Sequence, residues 1–130
     1  MFRQLLYIIL FNFTALTVVY ADDSQLSQQF TVCIDKSGGV TSSMIQCIAQ
    51  ETSYQDLRLN KAYKVLKNTL NSSRQQELQD VQRLWIKYRD ANCKFYYDPD
   101  GGSITRVTSA SCFMDMTAER ADELENFLKY

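Results

Sequence analysis

A single proline, Pro99, and four glycines arranged as two pairs are the strongest constraint on what these 130 residues can fold into. Proline and glycine end helices and open turns, so a chain with few of them keeps long uninterrupted stretches that favour long helices. The pairs Gly38-Gly39 and Gly101-Gly102 therefore mark the expected breaks. No internal repeat or low-complexity tract divides the chain further.

The first residues ask to be read separately. Arg3 precedes an apolar run from Leu5 to Tyr20, and Val19-Tyr20-Ala21 places a small residue where a signal peptidase cuts. This is the layout of a secretory signal peptide over residues 1–21. A membrane-spanning helix fits less well: the run is short, Asn12 and several threonines interrupt it, and acidic residues follow it. No cysteine stands at the cleavage point to carry a lipid. The expectation is export to the periplasm or beyond, with no membrane anchor after cleavage. Residues 22–130 then have the length of one ordinary domain.

That domain keeps Cys33, Cys47, Cys93 and Cys112. An even count in a chain routed to an oxidising space predicts two disulfides. Zinc is the weaker reading, because no C-x-x-C spacing and no histidine are present. No metal and no cofactor are expected. Three pairings of four cysteines exist; the local one, Cys33–Cys47 with Cys93–Cys112, is favoured here. Each such loop would contribute roughly 3 kcal/mol in the chain-entropy model.

Periodicity predicts an all-α fold: a small antiparallel bundle of about three main helices stapled by the two disulfides. Residues 22–40 are polar and read as a short helical turn followed by a loop. The first main helix begins near Thr41 or Ser42, either of which can cap it. Its stripe is Met44, Ile48, Leu59, Ala62, Leu66 and Leu70, with Ile45 and Tyr63 at the margin. Asn71-Ser72-Ser73 ends it and caps the next.

In the second helix Leu78, Val81, Leu84, Trp85, Tyr88, Ala91 and Phe95 cover an arc of about 140°. Trp85 and Tyr88 sit mid-stripe and are expected to be buried. Arg89, one turn beyond Trp85, can stack on the indole or reach a backbone carbonyl. Arg83, Lys87, Asp90 and Lys94 fall opposite, with Asp90–Lys94 as a helical ion pair. Asp98-Pro99-Asp100-Gly101-Gly102 is a strong turn signal, and Ser103 can cap a third helix. Residues 104–111 have strand-like composition that would permit a hairpin over 104–116, but Ile104, Val107, Ser111, Met114, Ala118, Ala121 and Leu128 follow helical spacing, and a helix is favoured. A break near Thr117 is expected.

Several functions are disfavoured. Without Arg3 the 14 basic residues become 13 against 15 acidic ones, and no basic stripe suited to nucleic acid is present. An enzyme would need paired carboxylates, a Ser-Lys pair or a free thiol, since histidine is absent. Asp98 and Asp100 are solvated turn residues, and a thiol would break the even cysteine count. The reading is a binding protein, not an enzyme.

The run Gln82-Arg83-Leu84-Trp85-Ile86-Lys87-Tyr88-Arg89-Asp90-Ala91-Asn92-Cys93 carries a further signal, together with Gly101-Gly102-Ser103, Cys112, Thr117, Arg120 and Leu124. With Cys47, Leu59-Asn60, Tyr63 and Leu66 upstream, it resembles the LprI-type lysozyme-inhibitor family over about residues 33–128. The sequence departs from that pattern at Val81 and Leu84, where the family tends to have alanine, a difference expected to touch packing. The resemblance implies a small, helical, disulfide-bonded protein of the bacterial envelope that binds and inhibits lysozyme. The family motif, including Trp85, Tyr88, Arg89 and Asp90, reads as scaffold.

A protein partner is therefore expected, with lysozyme the first choice. The alternative is an envelope protein with a different partner and no inhibition. Contact is assigned to the exposed tip formed by Asp98, Asp100, Gly101, Gly102 and Ser103, because glycine permits close backbone approach. Glu119, Asp122, Glu123 and Glu125 offer an acidic face that could steer a basic lysozyme.

Overall fold

A computed structural model describes residues 26–130, and four helices account for most of them. They are α1 (Gln28–Ser37), α2 (Thr41–Thr69), α3 (Ser72–Phe95) and α4 (Ser103–Phe127). The expected signal segment lies outside the described residues.

The polar segment before Gly38 is a full helix rather than a single turn, so the bundle has four helices where about three were expected. Its own sequence is weakly helical, and tertiary partners supply what is missing. The Ser27 hydroxyl accepts from the Phe30 backbone N–H at 3.1 Å, capping the first turn. Ser27 in turn is held by Glu51 of α2, which accepts from the Ser27 backbone N–H at 2.8 Å and from its hydroxyl. At the other end Gly38 adopts φ 58°, a left-handed conformation that glycine takes without steric cost and that stops the helix. The chain then turns back, and Cys33 is bridged to Cys47, with the Cα atoms 5.7 Å apart.

α2 starts without a side-chain cap, after extended Val40, so Thr41 is its first residue and not its cap. It buries Ile48, Leu59, Ala62 and Leu66 as the periodicity requires. Between them, on the same line, it buries Glu51 and Gln55. Leu70 leaves the helix in an extended conformation, and the Asn71 side chain caps α3 by accepting from the Arg74 N–H at 3.0 Å.

α4 is continuous from Ser103 to Phe127, with neither a hairpin nor a break. Thr117, expected as a cap, is buried and donates to the Phe113 carbonyl at 2.6 Å, an intrahelical bond that leaves the backbone ladder intact. Gly102, not Ser103, occupies the capping position.

α2 and α4 form the main contact of the bundle and run in the same direction. Thr41 meets Ser103 at one end, with their hydroxyls 3.4 Å apart, while Arg58 reaches Asp122 and Glu125 further along. Alanines make the approach close: Ala62 is 3% exposed, and Ala118 and Ala121 are fully buried. The core is Leu59, Ala62, Leu66, Ala121 and Leu124, with Tyr63, Leu70, Leu78 and Trp85 packed against it. A fully buried leucine such as Leu124 contributes about 1.5–3 kcal/mol relative to exposure.

α3 returns antiparallel to both, touching α4 through Gln82–Arg120, Arg89–Thr117 and Cys93–Cys112. Its packed face is Leu78, Gln82, Trp85, Arg89, Asn92 and Cys93, all buried or half-buried. This corrects the expected stripe. Leu78 and Trp85 do face inward, but Val81, Leu84, Tyr88, Ala91 and Phe95 are exposed, Tyr88 by 62%. Val81 and Leu84 therefore do not take part in core packing. Asp90 pairs with Arg89 at 2.8 Å rather than with Lys94. No helix among the described residues is long and apolar enough to cross a membrane.

Candidate functional site

The end of α3 is tied to α4 by the Cys93–Cys112 bridge, whose Cα atoms are 5.3 Å apart. Cys93 is fully buried, and its carbonyl accepts from the Ser109 hydroxyl at 2.9 Å. Between the two cysteines the chain leaves α3 at Tyr96 and enters α4 at Ser103. The bridge fixes both stems of this connection, so the turn between them is presented on a rigid base.

The turn holds itself in shape. The Asp98 carboxylate accepts from the Asp100 N–H at 2.9 Å, and the Asp98 carbonyl accepts from the Gly101 N–H at 3.1 Å. The Thr105 hydroxyl reaches back to the carbonyls of Asp98 and Gly102, at 2.8 and 3.0 Å. Gly102 has φ 76°, which a side chain would resist. Gly101 packs so tightly that a Cβ there would collide with the Thr105 methyl and crowd Asp98. Asp98, Asp100, Gly101, Gly102 and Ser103 thus come together as one exposed turn, with neither carboxylate in an ion pair among the described residues.

The expected acidic face is largely neutralised. Arg58 donates through Nη2 to Asp122 and to Glu125, both at 2.6 Å, and through Nε to Glu125 at 3.2 Å. The Glu125 hydrogen bond raises the Arg58 pKa further above its ordinary value, outweighing the desolvation that acts against it, and Asp122 adds to the effect. Glu123 pairs with Arg120 at 2.6 Å. Of the four carboxylates, only Glu119 has no partner among the described residues.

Three polar clusters join the helices; only the stacking of Arg89 on Trp85 is expected from local sequence. Arg58 Nη1 donates to Gln55 Oε1 at 2.7 Å, and Gln55 Nε2 donates to Glu51 at 2.6 Å. A continuous hydrogen-bonded line therefore runs from Ser27 through α2 to α4. On α3, Arg89 lies 4.9 Å from the centre of the Trp85 ring and 5.5 Å from that of Phe113, with Nη1 donating to Thr117 at 3.3 Å. Arg120 donates to Gln82 at 3.0 Å and lies 5.9 Å from the Trp85 ring. Trp85 and Arg89 are thus packed between α3 and α4, Asp90 is exposed and pairs with Arg89, and Tyr88 faces solvent. The signal that could have revealed Glu51, Gln55 and Arg58 is their spacing of four and three on the line of Ile48 and Leu59.

Asp115 is half-buried on α4, and burial raises its carboxyl pKa. It makes no hydrogen bond or ion pair among the described residues. All four cysteines are oxidised, so the arrangement offers surfaces for contact and no thiol nucleophile.

Residues 33–124 match the family model described as "Lysozyme inhibitor LprI", from the first bridged cysteine to the buried Leu124. An uncharacterized protein of Rhizobium meliloti (strain 1021) is 26% identical over 98 residues, covering 64% of this chain and 70% of that protein. No solved structure matches the chain.

Proposed function

This chain belongs to the LprI lysozyme-inhibitor family, and on that premise we propose that it is an extracytoplasmic binding protein that inhibits a lysozyme by protein–protein contact. The observation that carries this reading is the family match across the whole bridged frame, from Cys33 to Leu124. Two disulfides support a place of action outside the cytoplasm, where such bonds persist. A leader over residues 1–21 would take the chain there and leave residues 22–130 as the working domain.

The turn at Asp98–Ser103 is the proposed docking element. A preorganised, exposed loop loses little conformational entropy on binding, which is the main cost of using loops as contact surfaces. Its unpaired carboxylates suit the positive rim of a basic lysozyme. The frame built on Trp85 and Arg89 keeps the turn's stems in place and makes no direct contact.

The test is a cell-wall clearing assay with the oxidised, exported protein titrated against lysozymes of several types. Slower clearing that saturates with protein supports the reading. Unimpeded clearing in large molar excess, across all types, would remove it. Asp100→Lys should weaken inhibition without lowering the melting temperature if the turn meets a basic rim.

A further inference from the structure

α3 carries a second face that the fold leaves uncovered. Val81, Leu84, Tyr88 and Phe95 recur at helical spacing and are 51%, 66%, 62% and 87% exposed. On a helical wheel they lie about 100° from the packed line of Leu78, Gln82, Trp85 and Arg89. They form an apolar ridge roughly 20 Å long, at 1.5 Å per residue. A contiguous apolar strip of this kind, bordered by polar residues, marks a contact surface.

Charge and shape narrow what covers it. Arg83, Lys87 and Lys94 stand along one flank. Arg83 lies within 3.7 Å of Asp80, whereas Lys87 and Lys94 have no carboxylate partner among the described residues. A second copy fits poorly: a two-fold pairing of α3 against α3 would have to supply carboxylates for Lys87 and Lys94, and those nearest on this side, Asp80 and Asp90, already pair with Arg83 and Arg89. An anionic bilayer also fits poorly, since Glu77 continues the line of the ridge and a flat anionic surface would meet it together with the lysines. A single helix is a convex rod about 10 Å across, so its complement is a concave apolar groove with carboxylates along it.

The substrate cleft of a glycoside hydrolase has that character. Such clefts are apolar-lined grooves, and two carboxylates flank the scissile bond, one as acid and one as nucleophile or base. We propose that the Val81–Phe95 ridge of α3 enters the glycan cleft of the inhibited enzyme, with the Lys87 ammonium against its catalytic carboxylates. This rests on the inhibitor reading above and names the surface that performs it. Leu84 and Tyr88, both on the ridge side of Lys87, fill the groove, and substrate is excluded by occupancy. The ridge is continuous with the turn through a depression lined by Ala91, Lys94, Phe95, Tyr97, Asp98 and Pro99. Asp98 and Asp100 would then lie at the mouth of the cleft, away from carboxylates that would repel them.

The experiment compares the oxidised protein with Leu84→Asp, Tyr88→Ala and Lys87→Glu. The control is Leu57→Asp, at a residue 71% exposed on α2 and off the ridge. Inhibition of a muramidase and calorimetric binding to that enzyme are both read, with and without a soluble oligosaccharide of its substrate. Each ridge variant should lose about tenfold or more in affinity at unchanged melting temperature, as central contact residues do. The control should match wild type, and the oligosaccharide should compete with binding. Inhibition retained within about twofold by all three ridge variants would overturn the assignment and leave the inhibitor reading intact. Non-competitive binding, a dimer that buries the ridge, or uptake onto anionic vesicles that depends on the ridge would overturn it equally. Absence of inhibition by wild type removes the inhibitor reading, and the ridge assignment with it.

Discussion

Arg89 stands one helical turn from Trp85, and its guanidinium carbon lies 4.9 Å from the centre of the indole ring. The contact couples a cation–π attraction to burial, because the same guanidinium also reaches Thr117 on α4. Trp85→Ala removes the ring from the core cluster and leaves Arg89 and Arg120 without their stacking surface. It should cost about 3 kcal/mol in denaturant unfolding. Tyr88→Ala, three residues on but exposed, should stay within about 0.5 kcal/mol. Equal losses at the two positions would contradict the orientation of α3.

Arg58 joins α2 to α4 by contacting Gln55, Asp122 and Glu125. Its side chain is mostly buried, while Glu125 is more than a third exposed, so solvent screens part of the pairing. Arg58→Ala should cost about 2 kcal/mol, chiefly from half-buried carboxylates left without a donor. Arg58→Lys should recover only part, since one ammonium cannot reproduce three directional contacts.

Replacing Cys93 and Cys112 together by serine should cost about 3 kcal/mol through the freed loop of the unfolded chain. The loss should be local as well as global. Hydrogen exchange should accelerate most at the end of α3 and in the turn, and much less along α2.

Asp115 gives a pH signature. Burial raises its folded-state pKa, so the folded protein favours the neutral carboxyl. That contribution is complete below the unfolded pKa and is lost as pH rises through the folded value. Asp115→Asn should therefore raise the melting temperature at about pH 7 and leave it unchanged at about pH 3, where wild type is already neutral. A gain of equal size at both pH values would point to packing instead.

Gly101→Ala should strain the turn, because the added methyl meets the Thr105 methyl and crowds Asp98. The expected cost is about 1–2 kcal/mol. In a Thr105→Ser background, which keeps the hydroxyl and removes the methyl, the cost should shrink. An undiminished cost would mean that Asp98 dominates the clash.

The parts of this fold written in local chemistry were legible from sequence. Asp98-Pro99-Asp100-Gly101-Gly102 encodes its turn in adjacent residues, and Ile48, Leu59, Ala62 and Leu66 repeat at helical spacing on α2. The cysteine pairing is the local one favoured among three that the sequence leaves open. α3 resists such a reading because it is apolar on more than one side. Its packed face includes Gln82 and Arg89, whose polar atoms are satisfied by Arg120 and Thr117, residues 38 and 28 positions away. Periodicity counts such side chains as solvent-facing. α1 is longer than its own residues predict for the same reason, since Glu51, 24 residues beyond Ser27, holds its cap. The apparent acidic face was a sum of formal charges that took no account of Arg58 and Arg120.

The parallel pairing of α2 with α4 has a kinetic consequence. Thr41–Ser103 and Arg58–Glu125 join residues 62 and 67 positions apart, so the principal core assembles only after the chain has made a complete return through α3. Folding speed falls as contacts become more distant in sequence, and this molecule should fold more slowly than its helical content alone would suggest. The Cys93–Cys112 bridge shortens that route by its own 19-residue span, a saving of only a few tenths of a kcal/mol in closure entropy. Oxidation should therefore slow unraveling far more than it hastens the search for the native pairing.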